Sequence, residues 1–238
     1  MKIANILPLK YDSILPSGSY KMLLAHLKDE YHLTRDVQRN CYTIMDNSLI
    51  ELGGAVNIDA ILEAAEKLNP DEIVLPDVYC KGRENYECIL NSINELRVKG
   101  ALGKYKLMAV CHGENISEFE HYFNLIKRIP EISCIGIPKV ATTIFHGNRN
   151  NAEYLWQQDC TKEIHLLGCW DSLIEILGYE HPAKIRSMDT CILSLLARDN
   201  IQSIYSDRPE KSIDFHNDNI NVDLYMSFWN KLRKENFV

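Results

Sequence analysis

The sequence predicts a single (β/α)₈ barrel, and three observations predict it. Eight short apolar or β-branched runs recur along the 238 residues. Segments of helical 3.6-residue periodicity lie between them, which is the pattern of βα units on a parallel sheet. No Gly/Pro/Ser-rich linker divides the chain, and its length fits one such barrel, so residues 1–238 read as one domain rather than an open doubly wound sheet.

The elements follow in order. The first run is Ala4–Leu7, with Tyr11 in the loop behind it, and the second, Tyr42–Met45, runs into Asp46. Ile58, Ile61, Leu62, Ala65 and Leu68 then form one apolar helical face behind Asn57 as a cap. The third run, Glu72–Pro76, ends at Asp77, and the fourth, Leu107–Cys111, is followed by His112 and Gly113. Asn115 and Glu118 have capping-box separation before a helix carrying Phe119, Tyr122, Phe123 and Ile126. The fifth run, Cys134–Pro138, contains Gly136 and leads into the polar connection Val140–Asn148. The sixth, Ile164–Cys169, holds His165, and the seventh, Ile185–Met188, runs into Asp189. Gln202–Tyr205 is taken as the eighth strand, followed by the long connection Ser206–Asn219. Tyr225, Phe228, Trp229 and Leu232 give the amphipathic helix that closes the ring.

Composition narrows the function. Hydrophobic residues make up 46% and charged residues 25% of the chain, which buries a substantial core and excludes wholesale disorder. The net charge of −7 gives no broad basic footprint for nucleic acid, so a polyanion would have to meet a local patch. Eight cysteines (41, 80, 88, 111, 134, 160, 169 and 191) lack CxxC pairs and metal-type Cys/His spacing, as expected of reduced thiols in the cytoplasm. No signal-peptide core and no run of about 20 apolar residues is present, so no membrane is expected as a partner. P-loop and dinucleotide-binding glycine patterns are missing as well.

On this register three strands end in aspartate, at Asp46, Asp77 and Asp189, on the face of a barrel where catalytic groups sit, and His112 and Gly113 join the same rim. One aspartate at such a junction reads equally well as a helix cap. Three together point to a site, because clustered carboxylates separate in acidity and let one act as an acid and another as a nucleophile. The same carboxylates could hold Mg²⁺ instead. His146, Arg149 and Arg208 fall in the long connections and are candidate phosphate contacts. Tyr11 could stack on a base or be an ordinary rim tyrosine. His165, inside an apolar strand, reads as a hydrogen-bonded core histidine.

These segments resemble the tRNA-guanine transglycosylase superfamily, and particularly the related enzymes that insert 7-deazaguanines into DNA in phages and bacteria. MDNS at Asp46 is similar to the family's Asp-Ser-Gly-Gly segment, MAVCHG to its Val-Gln-Gly-Gly, IGIPK to its glycine-containing base-binding strand, HLLG to its His-Leu-Leu-Gly, and SMDTC to its Phe-Asp-Cys nucleophile segment. The matches keep the family's order from Asp46 to Arg198. The resemblance implies Asp189 as nucleophile, Asp46 as proton-transfer residue, Asp77 as reader of the purine edge, His112 in place of a base-binding glutamine, and Gly136 beside the base, where close packing is the other reading of a strand glycine. The family's zinc-binding cysteines and histidine have no counterpart, nor does its Pro-Thr-Arg after the nucleophile, since Asp189 is followed by TCILSLLARDN. The resemblance with these departures implies a purine or 7-deazapurine base as small ligand, DNA, or a smaller nucleoside or nucleotide, rather than tRNA as the substrate, no cofactor, and a cytoplasmic enzyme, in the host cytoplasm if phage-encoded. A glycosidase that excises the base without exchange, and a silent nucleobase- or nucleic-acid-binding barrel, remain the alternatives. Oligomeric state is left open.

Overall fold

In the computed structural model, which describes residues 1–14, 18–33, 40–157, 159–169 and 171–235, eight parallel strands close into a barrel in sequence order. They are β1 (Lys2–Asn5), β2 (Tyr20–Leu24), β3 (Tyr42–Asp46), β4 (Glu72–Val74), β5 (Lys106–Val110), β6 (Ile132–Pro138), β7 (Glu163–Leu167) and β8 (Ile185–Thr190). β8 pairs with β1 in parallel, Ala4 opposite Asp189, and completes the ring. This is a TIM-type (β/α)₈ barrel.

Among the described residues the α-helices are α1 (Leu49–Leu52), α2 (Ile58–Leu68), α3 (Gly82–Val98), α4 (Ile116–Ile126), α5 (Ala141–Ile144), α6 (Tyr154–Gln157), α7 (Ile192–Arg198) and α8 (Val222–Lys234). Their starts follow local chemistry. Asn57 Oδ1 accepts from Ala60 N at 3.0 Å and caps α2, and Asn115 Oδ1 accepts from Glu118 N at 3.0 Å and caps α4. The reciprocal bond of the second cap is shifted by one residue, because Glu118 Oε2 accepts from Glu114 N. Ile58, Ile61, Ala64, Ala65 and Leu68 of α2 and Leu224, Tyr225, Phe228, Trp229 and Leu232 of α8 are buried against the barrel.

Two strand assignments differ from the sequence expectation. The second strand is Tyr20–Leu24, which pairs with Tyr42–Asp46 residue for residue. Lys21 breaks its apolar pattern, yet Lys21 is buried, donates from Nζ to Asp12 O, and lies 5.8 Å from the Tyr31 ring centroid. Burial pushes its ammonium down to about 8, against the opposing pull of Asp12 and Cys41. Gln202–Tyr205, expected as the eighth strand, is coil and turn after α7; Ile204 packs into the core without joining a ladder. The true eighth strand is the one that carries Asp189.

The barrel interior has two levels. Ala4, Met22, Ile44, Val74, Met108, Val110 and Cys134 fill it with apolar side chains. Towards the strand starts lies a polar cluster, in which Tyr20 and Tyr42 stack at 4.7 Å and Arg186 Nη1 stands 2.8 Å from both Glu72 Oε2 and Glu163 Oε2. Among the described residues no helix is long and apolar enough to cross a membrane.

Candidate active site

The carboxyl ends of β2, β3, β5, β6, β7 and β8 contribute Leu24, Asp46, Val110, Pro138, Leu167 and Thr190 to the wall of one cavity of about 650 Å³. Asp46, Asp77, His112 and Asp189 all line it, so the four residues expected on one mouth are brought together there. Both long connections reach it too, through Val140, Thr142 and Thr143 on one side and Arg208, Ser212, Ile213 and Phe215 on the other. Such a volume lies in the usual range for a small-molecule site.

Asp189 is held by two donors on one oxygen. His165 Nε2 lies 3.1 Å from Oδ1, and Gly168 N donates to the same atom at 2.9 Å. Its side chain keeps 8% of its surface open. Capping of the next helix does not fall to Asp189: Ile192 N, at the start of α7, donates instead to Thr190 Oγ1 at 3.0 Å.

Asp46 accepts from Ser48 N at 2.8 Å. Ser48 takes a left-handed φ of 61°, which turns the chain sharply from β3 into α1. Burial holds the Asp46 carboxyl well above the usual carboxylate range, and Glu51 adds to this; the Ser48 amide opposes it, while Asp189 and Asp77 add smaller repulsions. The site therefore favours the neutral carboxyl of Asp46 over its ionised form. Glu51 itself lines the cavity and is raised by burial, with Asp189 contributing.

Asp77 lies just beyond β4 and is tied on both oxygens. Asn47 Nδ2 donates to Oδ1 at 2.7 Å, and His112 Nε2 stands 2.6 Å from Oδ2. Cys80 N donates to His112 Nδ1 at 3.3 Å, so the imidazole hydrogen resides on Nε2 and points at Asp77. His112 thus has both nitrogens engaged within the protein. It holds Asp77 in place instead of offering a nitrogen to a base. Asn47 also donates to Leu75 O at 2.8 Å, locking the end of β3 to the segment after β4.

The remaining expected residues separate. Arg208 lines the cavity, with Nη2 bonded to Ser212 Oγ at 2.9 Å. Arg149 does not reach a phosphate: it is fully buried, pairs through Nε with Glu175, and donates to Ile137 O at 3.0 Å, Leu167 O at 2.6 Å and Gly168 O at 3.2 Å. It braces the loop whose Gly168 amide holds Asp189. His146 is exposed and lies outside the cavity wall. Tyr11 packs against the core and meets Ile220 N and Asn219 Oδ1 through its hydroxyl, which is the rim-tyrosine role.

Both glycines are packing positions. A Cβ on Gly113 would meet Phe119 N at 2.6 Å, so Gly113 lets α4 approach β5. A Cβ on Gly136 would meet Leu167 Cδ1 at 2.8 Å, just beneath the cavity floor that Leu167 and Val110 form. Gly136 sets the depth of the site without facing it.

Among the described residues no group of three His, Cys, Asp or Glu side chains is arranged to hold a metal ion. Lys139, also in the wall, is engaged by Asp171 at 2.9 Å and Glu175 at 3.2 Å; burial lowers its pKa, but these two acids outweigh that and raise it. Three residues went unnoticed in the sequence as site components: Asn47, Glu51 and Gly168. Asn47 follows Asp46 directly and was in reach of a reading of MDNS, whereas nothing in the sequence marks the Gly168 amide as a donor.

No protein-family model matches this chain. A search of curated proteins likewise found no match.

Proposed function

We propose that the protein is a base-exchange transglycosylase that replaces guanine in a nucleic acid, DNA in preference to tRNA, with a 7-deazaguanine. The observation that carries this reading is the convergence of Asp46, Asp77 and Asp189 on one cavity, each in a different chemical setting. Two of the three, Asp46 and Asp189, stand in segments that resemble the tRNA-guanine transglycosylase superfamily, and Asp77 falls between those segments in the chain.

In the proposed reaction Asp189 attacks C1′ of the target nucleotide. The C1′–N9 bond breaks with its electron pair going to the base, whose nitrogen takes the proton of Asp46. A C1′–O ester to Asp189 forms as guanine leaves. The incoming 7-deazaguanine gives its N–H proton to the Asp46 carboxylate and attacks C1′, and the ester pair returns to Asp189. Two inversions give net retention, and splitting one displacement into two is the advantage of covalent catalysis. The raised pKa of Asp46 suits the first protonation. Asp77, oriented by Asn47 and His112, still has lone pairs for the N–H groups of a guanine edge. A base in duplex DNA must leave the stack to enter such a cavity, and Arg208 at the wall suits an adjacent phosphate.

The test is incubation with labelled guanine and, separately, duplex DNA, single-stranded DNA, tRNA and guanosine, followed by a denaturing gel. Incorporation of label with a protein–polymer band that survives denaturation is the expected result. Loss of base without incorporation would replace exchange by hydrolysis, and retention of polymer without either would leave a binding barrel.

A further inference from the structure

The hydrogen bonds that hold Asp189 extend beyond His165. The β7–β8 register sets His165 opposite Ser187, and His165 Nδ1 lies 2.7 Å from Ser187 Oγ. Ser187 Oγ in turn accepts from Arg186 Nε at 3.1 Å. Arg186 is anchored in the polar cluster at the strand starts by Glu72 and Glu163, and Tyr42 donates its hydroxyl to Glu72 Oε2 at 3.0 Å. One chain of bonds therefore climbs the barrel from Tyr42 and Arg186 to Asp189.

The chain has a fixed direction. Asp189 Oδ1 needs a donor from His165 Nε2, which leaves Nδ1 as an acceptor, so Ser187 Oγ, which accepts from Arg186, sends its own hydrogen to Nδ1. The imidazole hydrogen is then on Nε2, which donates to Asp189 Oδ1. The other tautomer would set a nitrogen lone pair against a carboxylate oxygen. Burial keeps the ring neutral by lowering its pKa, although the bond to Asp189 opposes this. With Gly168 N on the same oxygen, the carboxylate is fixed in rotation.

We infer that His165 is the positioning residue of Asp189, that Ser187, held by Arg186, satisfies its other nitrogen, and that Asp189 presents Oδ2 to the substrate. The inference rests on the reading of Asp189 as nucleophile. His165 Nε2 and Gly168 N occupy Oδ1 on the side of β7, and His165 is sealed from solvent, so it acts on the substrate only through Asp189.

The experiment compares His165→Phe, His165→Gln and Ser187→Ala with the parent protein, after circular dichroism and thermal melting confirm folding. His165→Phe should lower kcat about 10- to 100-fold, the worth of one hydrogen bond to a charged group, with KM changed less than about twofold. His165→Gln, whose amide places a donor near the Nε2 position, should recover most of the loss, and Ser187→Ala should lower kcat by a smaller factor. Parent-like kcat in His165→Phe, or a loss confined to KM, overturns the inference. If His165→Phe does not fold, Ser187→Ala and the glutamine variant decide it. Nitrogen-15 NMR of labelled histidine at pH 7 gives a readout independent of turnover: the signal lost in His165→Gln should show a protonated Nε2 and a bare Nδ1. The opposite tautomer, or an imidazolium, overturns the inference even in an active enzyme. If the parent protein exchanges no base, the proposed function fails, and the NMR result alone then judges the hydrogen-bond chain.

Discussion

Replacing Arg149 by methionine separates its two possible roles. A phosphate contact would make the change harmless to folding and costly to nucleic-acid binding. The geometry says the reverse. Losing one partner of a buried ion pair costs about 3–5 kcal/mol, and the low end applies here because Glu175 keeps Lys139 at 3.2 Å and the Tyr179 hydroxyl at 3.2 Å. The Gly168 carbonyl, beyond the end of β7, loses its bond to Nη2 and adds about 1–3 kcal/mol. Together these give about 4–6 kcal/mol, which in a chain of this size lowers Tm by roughly 10–20 °C. Urea unfolding and calorimetry of Arg149→Met measure the first figure and the second. Arg208→Ala, at the half-buried cavity wall, should cost less than about 1 kcal/mol while weakening DNA binding and flattening its salt dependence. A melting temperature within 2–3 °C of the parent (on the order of 1 kcal/mol) for Arg149→Met would refute the bracing role.

Asp189→Asn retains an oxygen to accept from His165 and Gly168, so it should fold normally yet lose exchange and the denaturation-resistant band, whereas Asp46→Asn, which lacks both the proton for the leaving base and the carboxylate for the incoming one, should form that band slowly and, once formed, resolve it slowly. Parent-like exchange by Asp189→Asn would remove it as the nucleophile. Because the folded pKa of Asp46 is raised, the native state binds an extra proton from about pH 4 upward and loses stability as pH rises through the folded value. The Tm of Asp46→Asn should therefore match the parent near pH 4 and exceed it at pH 7–8; a difference independent of pH would contradict the raised pKa. Lys21 has the opposite linkage: its pKa falls to about 8 on folding, so the unfolded chain binds more protons up to about 10.5 and parent stability gains with pH across that window. Lys21→Met should abolish this gain, read as a stability difference from the parent that changes between pH 7.5 and 10.5.

How far the sequence disclosed this architecture depended on whether neighbours in space were also readable along the chain. The three aspartates stood out because each follows an apolar run that does become, or adjoins, a barrel strand. β2 escaped because Lys21 interrupts it, and a lysine whose amine is satisfied by the Asp12 carbonyl has no sequence signature. Gln202–Tyr205 took its place because buried Ile204 and half-buried Tyr205 imitate a strand without any ladder. Arg149 was misplaced for a related reason: a charge in a polar connection reads as solvated, and only the fold reveals the carbonyls that surround it. The reading of His165 as a hydrogen-bonded core histidine was right about burial. Its partner, 24 residues away, becomes a neighbour only through the pairing of β7 with β8.

The pairing of Ala4 with Asp189 places the proposed nucleophile on the seam where the last strand meets the first. Contacts this distant along the chain are slow to form, since nearly the whole polypeptide must be looped before they are rewarded. A growing chain on the ribosome cannot assemble this pocket until β8 has emerged and found β1. The proposed chemistry would thereby be withheld from unfinished chains, and an amino-terminal nick that frees β1 would undo the candidate site from the far end of the sequence while leaving every aspartate intact.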